Sequence, residues 1–189
     1  MRIRDNNKLS TIALVVAAIL LALFTKAYIV QPYVVDGQSM ETTLQNSDRL
    51  LVDKLPLAFA HFSHPYIPHR GDIIVFNQSN LPGFSGTKQL IKRVVGLPGD
   101  RVVIKDGSIT IYNKSSPDGF NPDSATGYKL SNTLTLGIVD TTLSKDQIFV
   151  LGDNRNNSED SRYFGPVNIN QIVGKLVLRI MPFDKTQRF

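Results

Sequence analysis

The sequence predicts a mainly β fold, an antiparallel barrel-like or sandwich domain, carried behind one N-terminal transmembrane helix. Three observations predict it. Short Val- and Ile-rich runs recur beyond residue 30, bounded by Gly, Pro, Asn and Asp, the pattern of strands separated by tight turns. Asp106-Gly107 joins two of these runs, and Asp-Gly favours the two-residue turn of an antiparallel hairpin. Near the N-terminus, Ile12–Phe24 forms the uncharged heart of the only apolar run of membrane length.

Residues 1–8 form a tail with Arg2, Arg4 and Lys8 against Asp5, and Leu9–Val30 follows as the candidate anchor. A bilayer core needs about 20 mostly apolar residues as helix. The run reaches that length with Thr25, Lys26 and Tyr28 included. Lys26 can snorkel to the interface, and Tyr28 and Tyr33 suit the headgroup level. The basic tail predicts a cytoplasmic N-terminus, a single pass through the cell membrane, and residues 31–189 outside it. A cleavable secretory signal has the same charged start and apolar core, but no small-x-small cleavage site stands between Phe24 and Gln38. A buried core helix is the third reading, disfavoured because the run has no polar face.

The expected strands are Tyr33–Val35, Arg49–Leu55, Asp72–Asn77, Gln89–Val95, Arg101–Ile104, Ser108–Tyr112, Gln147–Leu151 and Ile172–Ile180. Gly71-Asp72 and Pro98-Gly99-Asp100 are further turns. Asn113–Thr135 is polar and rich in Ser, Asn, Pro and Gly, and reads as an extended loop or peripheral excursion. His61–His69 reads as a second loop.

Composition excludes several chemistries. There is no cysteine, so a disulfide framework, a thiol nucleophile and a cysteine-based metal site are ruled out. The net charge of +5 comes without a long basic run, which argues against nucleic-acid binding. The three histidines all fall in His61–His69. No carboxylate stands nearby at a helical ligand spacing, so a metal site there is disfavoured.

Three blocks carry candidate chemistry. Val35-Asp36-Gly37-Gln38-Ser39-Met40-Glu41-Thr42-Thr43-Leu44 follows the anchor and offers Ser39 as a nucleophile. A serine hydroxyl needs a base, and with histidine disfavoured the remaining type is lysine. Lysine serves only when burial pulls its pKa toward neutrality. Leu90-Ile91-Lys92-Arg93-Val94-Val95 offers such a position. On a strand, Leu90, Lys92 and Val94 share one face and Arg93 takes the other. The third block, Gly152-Asp153-Asn154-Arg155-Asn156-Asn157-Ser158-Glu159-Asp160-Ser161-Arg162, is dense in hydrogen-bonding groups. By pattern alone each block has a plainer reading. Ser39 caps a turn running through Leu44, Lys92 sits on an edge strand, and the third block is a solvated loop with local Asp153/Arg155 and Asp160/Arg162 pairs.

In this order and behind an anchor, the blocks resemble the signature boxes of type I signal peptidases, bacterial leader peptidases with a Ser/Lys dyad, and within them the Gram-positive-like branch. The resemblance runs from the anchor to about Pro182. It implies that Ser39 is the nucleophile, Lys92 the general base, and Ser158 the serine that hydrogen-bonds and orients the lysine. Asp160 and Arg162 match a structural ion pair, Asp153 and Arg155 the start of that box, and Arg93 a supporting basic residue. Tyr33, Val35, Leu44 and Ile91 are implied to line pockets for small substrate residues. The implied activity is a membrane-anchored serine endopeptidase that removes N-terminal signal peptides from secreted preproteins. Its partners are those preproteins and the lipid membrane, and it uses no metal or cofactor. Thr42 replaces a frequent proline after the nucleophile, and Asn156 replaces a common Asp. Gly37 stands where some members carry a serine that helps the oxyanion hole, leaving mainly the Ser39 N–H. Two rivals remain. A repressor-type Ser/Lys peptidase predicts a DNA-binding domain where this chain has its anchor. A catalytically inactive, membrane-anchored binding or assembly protein is opposed by the intact Ser39/Lys92 pair.

Overall fold

The computed structural model describes residues 3–60, 65–79, 81, 83–125, 128, 130 and 132–189. Residues 61–64 of the histidine-rich segment, His61 and His64 included, lie outside the described residues. His69 is exposed beside Asp72.

The chain opens with helix α1 (Ile3–Tyr28) and turns directly into strand β1 (Val30–Val34). The helix therefore stops short of the expected end of the apolar run. Val30 is taken into an extended ladder, opposite Asp53 of strand β2 (Arg49–Asp53). Along α1, the side chains of Ile12, Leu14, Leu20 and Leu21 are more than half exposed. Among the described residues no helix is long and apolar enough to cross a membrane.

Strand β2 also ends earlier than its apolar pattern suggests. Asp53 Oδ1 accepts from the Leu55 N–H at 2.9 Å and starts the short helix α2 (Leu55–Ala60). Pro56 is tolerated there because a first-turn N–H has no helical acceptor. Strands β3 (Ile73–Ser79) and β4 (Thr87–Gly96) form a long hairpin. Strands β5 (Arg101–Lys105) and β6 (Ser108–Asn113) meet at Asp106-Gly107, both left-handed with φ 52° and 75°, as a tight hairpin turn requires.

The Asn113–Thr135 segment is more ordered than an extended loop. It contains strand β7 (Ser116–Phe120) and the single-turn helix α3 (Pro122–Ala125). Ser-Pro-Asp-Gly-Phe has almost no strand propensity. It pairs with β6 in a shifted register at the edge of its sheet, where such residues are tolerated. Beyond it come β8 (Val139–Thr142), β9 (Gln147–Leu151), the short helix α4 (Ser161–Phe164), β10 (Val167–Asn168), β11 (Ile172–Met181) and β12 (Gln187–Arg188).

The strands form two antiparallel sheets and no closed barrel. One runs β1-β2-β11-β3-β4-β9-β10 with β12 on β11, and the other β7-β6-β5-β8. Strands β4 and β9 have apolar side chains on both faces. Val94 and Val150 pack in one cluster with Ile74 and Phe76. Val95, Phe149 and Leu151 pack in a second cluster with β5 and β6. A third cluster joins Val35, Met40, Leu44, Leu50, Ile73 and Leu176. The centre of β4 is thus enclosed by packed side chains.

Gly96 marks where the sheets approach. A Cβ there would lie 2.9 Å from side-chain carbons of Leu143, Phe149 and Val102. Gly96→Ala is expected to lower stability by about 1–3 kcal/mol through overpacking. The urea midpoint checks this, and an unchanged midpoint would count against the tight contact.

Candidate active site

Ser39 stands on a turn that the core fixes from below. Gly37 adopts φ 107° with open space around it, a backbone conformation that side chains rarely take. Its N–H donates to Asn46 Oδ1 at 2.9 Å. Met40 and Leu44 are fully buried, and the Leu44 N–H donates to the Met40 carbonyl at 2.8 Å. From β11, Arg179 donates to the Thr43 carbonyl at 2.9 Å and to Asp48 at 3.1 Å. The turn is pinned on both sides of the serine.

Lys92 lies in mid-β4 opposite Ile74 of β3, and only 3% of it is exposed. Its Nζ donates to Ser39 Oγ at 2.7 Å and to the Ile91 carbonyl at 3.0 Å. Burial is the main reason its pKa falls from 10.5 to about 8; Asp160 and Glu159 pull it upward, Lys88 downward, and Asp153 upward again. A lysine in this state has a sizeable neutral fraction at mildly alkaline pH. Its amine is then placed to accept the Ser39 proton.

The third block leaves β9 and folds over the serine turn. The Asn154 N–H donates to the Ser39 carbonyl at 3.0 Å, and Asn154 Nδ2 to the Gln38 carbonyl at 3.1 Å. The block is not a solvated loop of local pairs. Asp153 is bound by Arg93 through Nε at 2.8 Å and Nη2 at 2.5 Å, and takes the Thr43 hydroxyl at 2.5 Å. Arg155 reaches Asp123 instead, at 2.5 Å through both terminal nitrogens, and also Thr135. Asp160 and Arg162 do pair locally, at 2.8 and 2.9 Å, while Asp160 accepts from the Gly152 N–H at 3.0 Å. These charges are out of water, so each needs a partner, and the bidentate fork of arginine supplies it.

Asp123, Tyr128 and Thr135 were not foreseen as part of the site. Tyr128 donates to Asp123 at 2.8 Å and lies under the Arg93 guanidinium, 4.2 Å from the ring centre. The only hint in the sequence was the presence of several arginines beside the apolar strands, each needing an acceptor. Gly152 was also given no role. A Cβ there would sit 2.1 Å from Ser158 Oγ and 2.5 Å from the Ser39 carbonyl. Glycine is what lets the block close on the turn.

Two expected contacts are corrected. Among the described residues Ser158 Oγ is buried without a hydrogen-bond partner, and Lys92 donates to Ser39 and Ile91. Leu44 does not line a substrate pocket; it is fully buried in the third cluster, holding the turn. Tyr33, Val35 and Ile91 do line a groove of about 300 Å³ that also contains Ser39 and Lys92, with Leu50 and Val75 among its lining residues. Among the described residues β1 pairs only with β2. On β4, β9 covers only Arg93, Val94 and Gly96, so Thr87–Ile91 pair on one side alone.

Comparison with known proteins gives a consistent picture. Residues 8–181 match the family "Signal peptidase, peptidase S26". "Signal peptidase I P" of Bacillus subtilis subsp. natto is 33% identical over 186 residues, covering 96% of this chain and 94% of that protein. "Signal peptidase I" of Bacillus caldolyticus is 36% identical over 165 residues, covering 85% and 84%. A solved signal peptidase I from Enterococcus faecalis V583 is 30% identical, with a TM-score of 0.41 over 58% of this chain and 97% of that one.

Two expectations follow from the geometry. Asp123→Asn leaves the buried Arg155 guanidinium without its counter-charge and is expected to cost about 3–5 kcal/mol of stability, read from denaturant midpoints; a change below about 1 kcal/mol would contradict the pairing. Lys92→Met is expected to stabilise the fold by on the order of 2–3 kcal/mol at pH 7. The folded pKa of about 8 lies below the ordinary 10.5, so the unfolded chain binds the extra proton. The destabilisation by Lys92 is fully present below pH 8 and fades toward pH 10.5, and the gain should fade with it. A gain independent of pH over that range would contradict the assignment.

Proposed function

Because the chain belongs to the signal peptidase family, peptidase S26, we propose that it is a serine endopeptidase that removes N-terminal signal peptides from secreted preproteins, with Ser39 as nucleophile and Lys92 as general base. The observation that carries the reading is the 2.7 Å hydrogen bond between Lys92 Nζ and Ser39 Oγ at a lysine buried enough to lose its proton.

Neutral Lys92 takes the Ser39 proton as Oγ attacks the scissile carbonyl carbon. The tetrahedral oxyanion is stabilised chiefly by the Ser39 N–H. The lysine ammonium then gives its proton to the leaving amine, and an ester remains on Ser39. Water, deprotonated by the same lysine, attacks that ester and frees the signal peptide. The preprotein binds extended along the groove, adding main-chain hydrogen bonds at the unpaired edge of Thr87–Ile91. Tyr33, Val35 and Ile91 favour small side chains before the cut. Arg93, Asp153, Asp160 and Arg162 hold the dyad in place, and Ser158 lies within the same block.

The same reading extends to the membrane. Residues 1–8 are a cytoplasmic tail, 9–30 the anchor, and 31–189 the extracytoplasmic peptidase. What supports this is the row of exposed apolar side chains on α1 and the direct passage from α1 into β1, whose Tyr33 and Val34 line the groove. Enzyme and signal peptide then share one two-dimensional layer, which raises their effective concentration.

Cleavage of a labelled preprotein by the full-length protein in lipid tests the reading. One cut after a small residue is expected, with activity reduced at least about 10³-fold by Ser39→Ala or Lys92→Ala in folded protein. Cleavage surviving Ser39→Ala would overturn the nucleophile, and a folded but inert wild type would favour the binding-protein alternative. The rate constant kcat/KM should rise with pH through about 8, the Lys92 value, since only the neutral amine is a base. A profile flat from pH 6 to 9 would contradict that role.

A further inference from the structure

The free charges on the groove are unevenly placed. Among the described residues its walls carry three charged side chains besides Lys92: Asp36, Lys88 and Glu159. All three are exposed, and none has an ion-pair partner among the described residues. The neighbouring carboxylates differ. Asp153 and Asp160 are buried and held by Arg93 and Arg162, so their charges are largely neutralised where they stand.

Glu159 is fixed in place by its neighbours. Ser158 and Asp160 on either side are buried, and Asp160 is bound to the Gly152 N–H and to Arg162. The backbone at Glu159 is therefore held beside the groove that its side chain lines. Lys88, the one cation besides Lys92 among the described residues of the groove, is four residues from Lys92 along β4, about 13 Å between Cα atoms at strand spacing. Asp36 also stands on the groove, but it is not among the charged groups that act on Lys92. Glu159 is thus the groove carboxylate that acts on Lys92 and has no ion-pair partner among the described residues.

We infer that Glu159 is a specificity-determining residue that favours preproteins with a basic side chain, and disfavours those with an acidic one, within two residues of the scissile bond. The inference rests on the proposed peptidase reading. A cation held there also faces Lys92 together with Asp160, Glu159, Lys88 and Asp153, the charged groups that act on it. It offsets the upward pull of Glu159 and so favours the neutral amine. A basic substrate should be turned over at lower pH than a neutral one.

The test is a peptide series with Lys, Gln or Glu placed in turn at the second position before the cut and at each of the two positions after it, the residue just before the cut being kept small, assayed with full-length protein in lipid. At one or more positions the wild type is expected to prefer Lys over Glu by about five- to tenfold in kcat/KM, as one charge pair in a solvated groove allows. Glu159→Gln should bring that ratio to within about twofold, and Glu159→Lys should invert it. The pH–rate limb for the Lys peptide should lie below that for the Gln peptide in the wild type, and the two should converge in Glu159→Gln. A wild-type ratio that persists in Glu159→Gln, or that falls only on Asp36→Asn, overturns the inference while leaving the peptidase reading intact. If the wild type cuts no peptide and no preprotein, both readings fall together.

Discussion

The burial of one amine without a carboxylate of its own is the constraint on which the rest of the structure depends. Lys92 is enclosed by apolar neighbours at the centre of β4 and hydrogen-bonds only a hydroxyl and a carbonyl. An ammonium so placed is destabilised, and that is what makes the lysine a usable base. Asp153 and Asp160 act on it from nearby, and a free carboxylate at contact would restore the ammonium. The structure gives each to an arginine instead, Asp153 to Arg93 and Asp160 to Arg162. The arginines keep the negative charges occupied, so the lysine remains unpaired.

This division of partners knits the site to distant parts of the chain. Arg93 ties β4 to the third block and to the Thr43 hydroxyl behind the serine turn. Arg155 ties the same block to Asp123 in the excursion after β7, and Tyr128 joins the two systems by lying under Arg93 while bonding Asp123. Arg179 holds the far side of the turn. Few of these contacts touch the groove, yet together they fix the Ser39–Lys92 distance. Preorganisation of this kind is where much of an enzyme's advantage over solution resides.

Much of the site was legible in the sequence because its chemistry is local in pattern. The strand period put Lys92 on one face with Leu90 and Val94, but by pattern alone it reads as an edge lysine, and it was the resemblance of the three ordered blocks that joined it to Ser39. The mainly antiparallel strands were legible from Val- and Ile-rich runs with Asp-Gly and Pro-Gly punctuation. The rest depended on tertiary pairing. Nothing in Asp153-Asn154-Arg155 says that its two charges turn away from each other, one to Arg93 and one to Asp123. Ser116–Phe120 forms a strand only because β6 offers an edge. Leu44 was implied by the resemblance to line a pocket, but an apolar side chain in a pinned turn finds more contact in the core. The membrane-length run continued past Tyr28 on hydropathy alone, whereas the ladder with β2 claims Val30.

The most direct test of the account is the titration of Lys92 itself. With lysine labelled at the ε-carbon, the Lys92 resonance is assigned by its loss in Lys92→Met and followed by NMR from pH 6 to 11. The account predicts a midpoint near 8, well below the ordinary value for a lysine. A midpoint at the ordinary 10.5 would show a lysine still charged at working pH, and would contradict its role as the base.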